Sequence, residues 1–209
     1  MVFNIAIIDY EMGNLKSIYN CLKHLNINAI ITDDPKIILD TNGIILPGVG
    51  AFKDAMKYLR EKGLIEVINQ IIEEDKPLFG ICLGLQLLYS KSFEMGETNG
   101  LDIIKGKVIA FDRAKVGKVP QIGWNNVKFK NPEHFLLKGI KDNSFFYFVH
   151  SFFGIPENKD YILGLTKYRE TEFCSIFSTN NIVATQFHPE KSSKNGIRIF
   201  QNFIDFCRK

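Results

Sequence analysis

The stretch Pro77-Leu-Phe-Gly-Ile-Cys-Leu-Gly-Leu-Gln-Leu-Leu-Tyr89 decides how this chain folds. Pro77 to Ile81 is a short apolar run of strand length, and Leu83 to Tyr89 reads as a helix. Between them, Gly80-Ile81-Cys82-Leu83-Gly84 has the G-x-C-x-G form of a nucleophile elbow, a sharp and strained strand-to-helix turn. Glycines on both sides permit close approach of neighbouring backbone. A helix starting just after a cysteine aims free N–H groups and a partial positive charge at the sulfur, which favours the thiolate. A free cysteine is more often a small buried hydrophobe. The glycines and the strand-to-helix junction reverse that expectation for Cys82. Cys21 and Cys207, on helical stretches, and Cys174, in a β-like run, have no such context and keep the plain reading.

Upstream of the elbow, short apolar runs alternate with amphipathic stretches. Asn4–Asp9, Asn28–Thr32 and Gly43–Leu46 read as strands, the last stopped by Pro47 and Gly48. Asn14–Leu25, Ala51–Arg60 and Leu64–Glu73 read as helices; in the first, Leu15, Ile18, Leu22 and Leu25 share a face. This alternation predicts βαβ units, hence an α/β fold with a mostly parallel central sheet and helices on both faces. Downstream the pattern changes to short β-like runs at Lys107–Ala110, Asn126–Phe129, Phe145–Val149, Tyr161–Thr166, Cys174–Ser178 and Ile182–Thr185. Antiparallel hairpins are expected to extend one edge of the sheet. A last helix, Asn195–Cys207, is expected to turn Ile197, Phe200, Phe203 and Ile204 inward. With no repeat or linker, one domain over 1–209 is the economical reading.

Composition excludes more than it selects. The 209 residues are 45% hydrophobic and 23% charged, with a net charge of +3, which fits an ordinary globular chain. Lys and Arg are interleaved with acids, so nucleic acid is not an expected partner. No apolar run approaches the roughly 20 residues of a membrane span. Met1 to Tyr10 lacks a basic start and a small-residue cleavage site, and reads as the first strand rather than a signal peptide. Four cysteines without a CxxC pair or zinc-like Cys/His spacing point to free thiols, a reducing cytoplasm, and no metal or other cofactor.

A thiolate nucleophile needs a proton acceptor that later donates. Of four histidines, His24 lies among polar neighbours on the first helix and His134 lies in a loop without assignment. His188 closes the strand Ile182–Phe187 and is followed by Pro189 and Glu190. Proline stiffens the segment. A carboxylate two residues on can fold back onto the second ring nitrogen, fixing the tautomer and stabilising the imidazolium.

Gly80-Ile-Cys-Leu-Gly-Leu-Gln86 and Phe187-His-Pro-Glu190 resemble the two signatures of the class I (triad) glutamine amidotransferases, and the likeness covers essentially the whole chain. It implies a three-layer glutaminase fold and the triad Cys82, His188 and Glu190. Leu46-Pro-Gly-Val-Gly50 resembles the family's oxyanion loop, implying backbone donors at Gly50 and Leu83. It further implies that Gln86, His150, Ser151 and Phe152 contact L-glutamine. Asp9-Tyr-Glu-Met-Gly-Asn-Leu15 and Lys118-Val-Pro-Gln-Ile-Gly-Trp-Asn125, with Phe148–Phe152 and His188–Ser192, resemble one branch of the family. That branch supplies ammonia to a separate (β/α)₈-barrel cyclase subunit that makes imidazole glycerol phosphate for histidine biosynthesis. The likeness implies a heterodimer with Asn14, Trp124 and Lys191 at its interface. For Trp124, the only tryptophan, a core role stays open.

Glu11 stands where the pattern usually has Gly, and Phe152 where it usually has Tyr. Both leave the triad intact and the partner open. The competing readings are a paralogous glutaminase feeding a surface-sugar or other synthase, a catalytically silent binding subunit, and a peptidase or deglycase with a cysteine elbow. The peptidase type lacks the H-P-E signature.

Overall fold

The computed structural model describes residues 3–209. Met1 and Val2, part of the N-terminal segment read above as strand, lie outside the described residues. The first half runs β1 (Asn4–Ile8), α1 (Leu15–His24), β2 (Asn28–Thr32), α2 (Pro35–Leu39), β3 (Gly43–Leu46), α3 (Phe52–Glu61), α4 (Leu64–Glu73), β4 (Leu78–Ile81) and α5 (Leu83–Leu87). Next come β5 (Tyr89–Ser92), β6 (Thr98–Asn99), β7 (Ile104–Ala110), α6 (Arg113–Val116), β8 (Gln121–Phe129), β9 (Ser144–His150) and β10 (Phe152–Pro156). The chain ends with β11 (Ile162–Tyr168), β12 (Thr171–Thr179), β13 (Ile182–Thr185) and α7 (Ser193–Cys207). A single 3₁₀ turn, Pro189–Lys191, joins β13 to α7.

A nine-stranded sheet of order β2-β1-β3-β4-β13-β12-β11-β8-β9 forms the centre. Strands β2, β1, β3, β4 and β13 pair in parallel. The other four continue the sheet antiparallel, as expected for its edge. Alternation along the strands builds two cores. On β1, Ile5 and Ile7 face the core shared with Ile18 and Leu22 of α1 and with Ile199, Phe200, Phe203 and Ile204 of α7. Ala6 and Ile8 face the other, shared with Ala55, Met56 and Leu59 of α3 and Val67, Ile68 and Ile71 of α4. On α7 the inward face is led by Ile199, not Ile197, which is only half-buried.

Besides the two short helices α2 and α6, which match no expected element, three features depart from the expected elements. The helix after the elbow stops at Leu87, because Tyr89 starts β5. A second sheet, of order β10-β7-β5-β6, lies apart from the first. Strand β8 begins at Gln121, five residues before the apolar run starts. Pairing with β9 holds Gln121-Ile-Gly-Trp-Asn extended although Ile122 and Trp124 are more than half exposed.

Candidate active site

Strands β4 and β13 lie side by side, with Ile81 opposite Thr185. The elbow and the His188 segment therefore leave the sheet together, and the Cys82 N–H donates to the Thr185 carbonyl at 2.8 Å. Cys82 has φ 55° and ψ −106°, a conformation that costs about 1–3 kcal/mol and persists only where its surroundings enforce it. The glycines explain how. A β-carbon on Gly84 would lie 1.9 Å from the Leu46 carbonyl oxygen, and one on Gly48 would lie 2.8 Å from Leu83 Cβ. The elbow is wedged against the end of β3 with no room for a side chain.

His188 and Glu190 are buried, and His188 Nδ1 lies 2.7 Å from Glu190 Oε1. The stiff turn Pro189–Lys191 folds the carboxylate back, as its spacing predicts. Ser192 Oγ donates to the His188 carbonyl at 2.6 Å and holds the turn. Burial opposes charge on His188, but the negative charges of Cys82 and Glu190 outweigh it and push the imidazole up to about 10. Among the described residues His188 Nε2 has no hydrogen-bond partner of ordinary geometry, so its coupling to Cys82 is chiefly one of charge. The arrangement keeps His188 protonated, with Glu190 oriented to hold the proton on Nδ1.

A cavity of about 390 Å³ opens onto Cys82. It is lined by Val49, Gly50, Leu83, Gln86, Glu94, Pro120 and Val149, and by His150, Ser151 and Phe152. The structure thus brings both expected oxyanion donors and all four expected glutamine contacts to one place. Gly50 has φ +105°, which favours glycine there. The Leu83 N–H, however, donates to the Gly48 carbonyl at 3.3 Å. That donor meets a ligand only if the loop carbonyl gives way. The short α5 also leaves less helix dipole behind Cys82 than a seven-residue helix would supply.

His150 Nδ1 lies 2.8 Å from the Phe152 carbonyl, which can only accept, so Nδ1 carries the hydrogen. Burial first, and then the charge of His188, push its imidazole down to about 4, so it is neutral. Gln86 Nε2 donates to the same carbonyl at 2.9 Å and to Gln186 Oε1 at 3.2 Å. The Phe152 backbone is therefore a hub, whatever its side chain. Two site residues escaped the sequence reading. Glu94, the one carboxylate lining the cavity among the described residues, accepts from the Phe52 N–H at 2.9 Å; its loop carries no local signal. Gln186, fully buried, donates to Cys82 Sγ at 3.8 Å. A polar residue inside the apolar run Ile182–Phe187 was its only cue.

The expected interface residues surround the His188 turn. Trp124 is 53% exposed, which rules out a core role, and its ring meets Tyr147 edge-on. Lys191 Nζ lies over the same tyrosine, 5.9 Å from the ring centre. Asn14 caps the start of α1 without a side-chain hydrogen bond, and α1 packs on the Pro189–Lys191 turn. A larger cavity, about 800 Å³, is lined by Lys130, Phe153, Glu172 and Cys174 among others, and its lining among the described residues leaves out Cys82, His188 and Glu190. Burial pushes the Cys174 thiol up to about 12. Among the described residues no His, Cys, Asp and Glu cluster could hold a metal, and no helix is long and apolar enough to cross a membrane.

Solved structures share this architecture. PurLQS from Thermotoga maritima matches with a TM-score of 0.78 at 17% identity, covering 99% of each chain. A glutamine amidotransferase from the same organism matches at 0.66 and 18% identity, over 100% of this chain and 85% of that one. At such identities the likeness shows the fold alone. Closer relatives are proteins named imidazole glycerol phosphate synthase subunit HisH. The one from Sulfurimonas denitrificans is 45% identical over 205 residues, 97% of this chain and 98% of that protein. The one from Aquifex aeolicus is 46% identical over 199 residues, 95% and 94% of the two chains. The family model for glutamine amidotransferase class-I matches residues 6–206. With nearly its whole length accounted for, this chain belongs to the class I glutamine amidotransferases.

Proposed function

We propose that the chain is a single glutaminase domain that hydrolyses L-glutamine and passes the ammonia to a cyclase subunit making imidazole glycerol phosphate and aminoimidazole-carboxamide ribotide. The observation that carries the chemistry is the buried Glu190–His188 pair beside a strained Cys82 that lines a cavity. The destination of the ammonia rests on the full-length relatives named HisH.

The Cys82 thiolate attacks the carboxamide carbon of glutamine. The N–H groups of Gly50 and Leu83 receive the oxyanion once the Gly48 carbonyl releases Leu83. His188, protonated, donates to the amide nitrogen of the tetrahedral intermediate, the C–N bond breaks to release ammonia, and a glutamyl thioester is left; His188 then deprotonates the water that releases glutamate. Gln86 has both amide hydrogens committed, so any contact it makes with glutamine falls to Oε1. Glu94 is the carboxylate available to the substrate's α-ammonium group. Asn14, Trp124 and Lys191 meet the cyclase, which forms a heterodimer with this chain in the cytoplasm and keeps ammonia from solvent.

The test is glutamate release with and without the cyclase, together with Cys82→Ala in the complex. Turnover should rise with the cyclase. The variant should lose synthesis from glutamine and keep synthesis from ammonium salts. Equal turnover with and without the cyclase removes the partner, and glutaminase surviving in Cys82→Ala moves the nucleophile elsewhere.

A further inference from the structure

We propose that Gln186 is a catalytic residue whose side-chain N–H holds Cys82 in its reactive thiolate form. The inference rests on the reading of Cys82 as nucleophile. Gln186 is fully buried at the end of β13, and its backbone N–H donates to the Ser175 carbonyl at 2.9 Å. Its side chain touches two groups, Gln86 Nε2 at 3.2 Å and Cys82 Sγ at 3.8 Å.

The direction of these contacts is set by an atom that cannot change role. The Phe152 carbonyl only accepts, so the Gln86 end 2.9 Å away must be its NH₂. The second hydrogen of that NH₂ meets Gln186, so the oxygen of the Gln186 amide must face Gln86. Its NH₂ then faces the sulfur. Flipping Gln186 would set donor against donor at one end and leave two acceptors, amide oxygen and thiolate, together at the other. The hydrogen-bond network therefore fixes the orientation of both amides.

Sulfur has a second polar neighbour, the Val149 carbonyl at 3.9 Å. A thiol can donate to that carbonyl, whereas a thiolate can only be repelled by it. The Gln186 N–H has the opposite preference. The two contacts compete over the protonation state, and Gln186 supplies the donor that the short α5 and the occupied Leu83 N–H do not. Because Gln86 lines the substrate cavity, this donor is tied to the wall of the binding site.

The experiment is alkylation of the full chain by iodoacetamide across pH, read at Cys82 by peptide mass spectrometry, with the other three cysteines as internal controls. Gln186→Met keeps the side-chain length and removes the donor. One charge-assisted hydrogen bond at the weak end of its range predicts a loss of about tenfold in Cys82 labelling at neutral pH. Labelling should recover fully at alkaline pH, which a merely structural defect would not allow. Gln186→Glu, which keeps the acceptor for Gln86 and sets a carboxylate against sulfur, covers the case in which the methionine variant does not fold. It should lose more than the methionine variant. A pH profile that superimposes on wild type in either folded variant overturns the role of Gln186. Wild-type Cys82 no more reactive at neutral pH than Cys21 would instead overturn Cys82 as nucleophile, and this proposal with it.

Discussion

Replacing Glu190 by Gln removes one charge and almost no volume, and its effect can be worked from the geometry. The carboxylate lies 2.7 Å from His188 Nδ1, and the two side chains are 1% and 2% exposed. Burial opposes the imidazolium, and the charges of Cys82 and Glu190 together with hydrogen bonding to them keep it protonated up to about 10, against an ordinary 6.5. The raised value means that wild-type His188 keeps its proton throughout the neutral range and loses it only as pH climbs towards about 10. In Glu190→Gln the burial penalty remains while one of the two opposing charges is gone, so the proton leaves at lower pH. Breaking a buried pair costs about 3–5 kcal/mol. At about 1.4 kcal/mol per factor of ten, that is roughly 10²–10⁴ in kcat/KM if it falls wholly on the proposed step in which His188 protonates the leaving amide nitrogen. A glutamine amide can also turn its NH₂ to Nδ1 and select the wrong tautomer, which adds to the loss. The assay is glutamate release by the complex from mildly acidic to alkaline pH. The expected result is the loss in rate together with an alkaline limb displaced towards neutrality. Near-wild-type activity with an unmoved alkaline limb would refute the assignment of Glu190 as the group that holds the His188 proton.

Other perturbations test separate parts of the site. Gly84→Ala sets a β-carbon 1.9 Å from the Leu46 carbonyl oxygen, a backbone atom that cannot rotate away. Destabilisation at or above the upper end of the about 1–3 kcal/mol typical of overpacking is expected in denaturant unfolding, and wild-type stability would mean the elbow is not wedged against β3. Trp124→Ala should change stability by less than about 0.5 kcal/mol, since the ring is mostly exposed. The same variant should weaken binding to the cyclase by about 2 kcal/mol or more, as a central aromatic anchor does; calorimetry showing unchanged affinity would take Trp124 out of the interface. Glu11 adopts φ 70°. Glu11→Gly relieves about 1–2 kcal/mol of left-handed strain, offset by about 0.5–1 kcal/mol of added unfolded-state freedom and by loss of the exposed Lys62 contact. Thermal unfolding should therefore move little, and a large destabilisation would give the Glu11 side chain a structural role.

The candidate triad was legible in one dimension because each part rests on local constraints. Glycines at positions 80 and 84 announce a turn too tight for side chains, and Pro189 stiffens a loop just long enough to return a carboxylate to its histidine. The parallel half of the sheet was legible for the same kind of reason, since short apolar runs between amphipathic helices have few other arrangements. Tertiary structure decided everything that depends on contacts between distant positions. The second sheet joins Phe152–Pro156 to Ile104–Ala110, and no local pattern foretells that pairing. Gln86 reaches the Phe152 carbonyl 66 positions away, and Gln186 reaches the Cys82 sulfur 104 positions away. Hydrogen bonds of that span leave no periodicity in the chain. The second exists because β4 and β13 are neighbours in space, the first because α5 packs on β10, and the orientation of each amide follows from the fixed carbonyl at the end of the network.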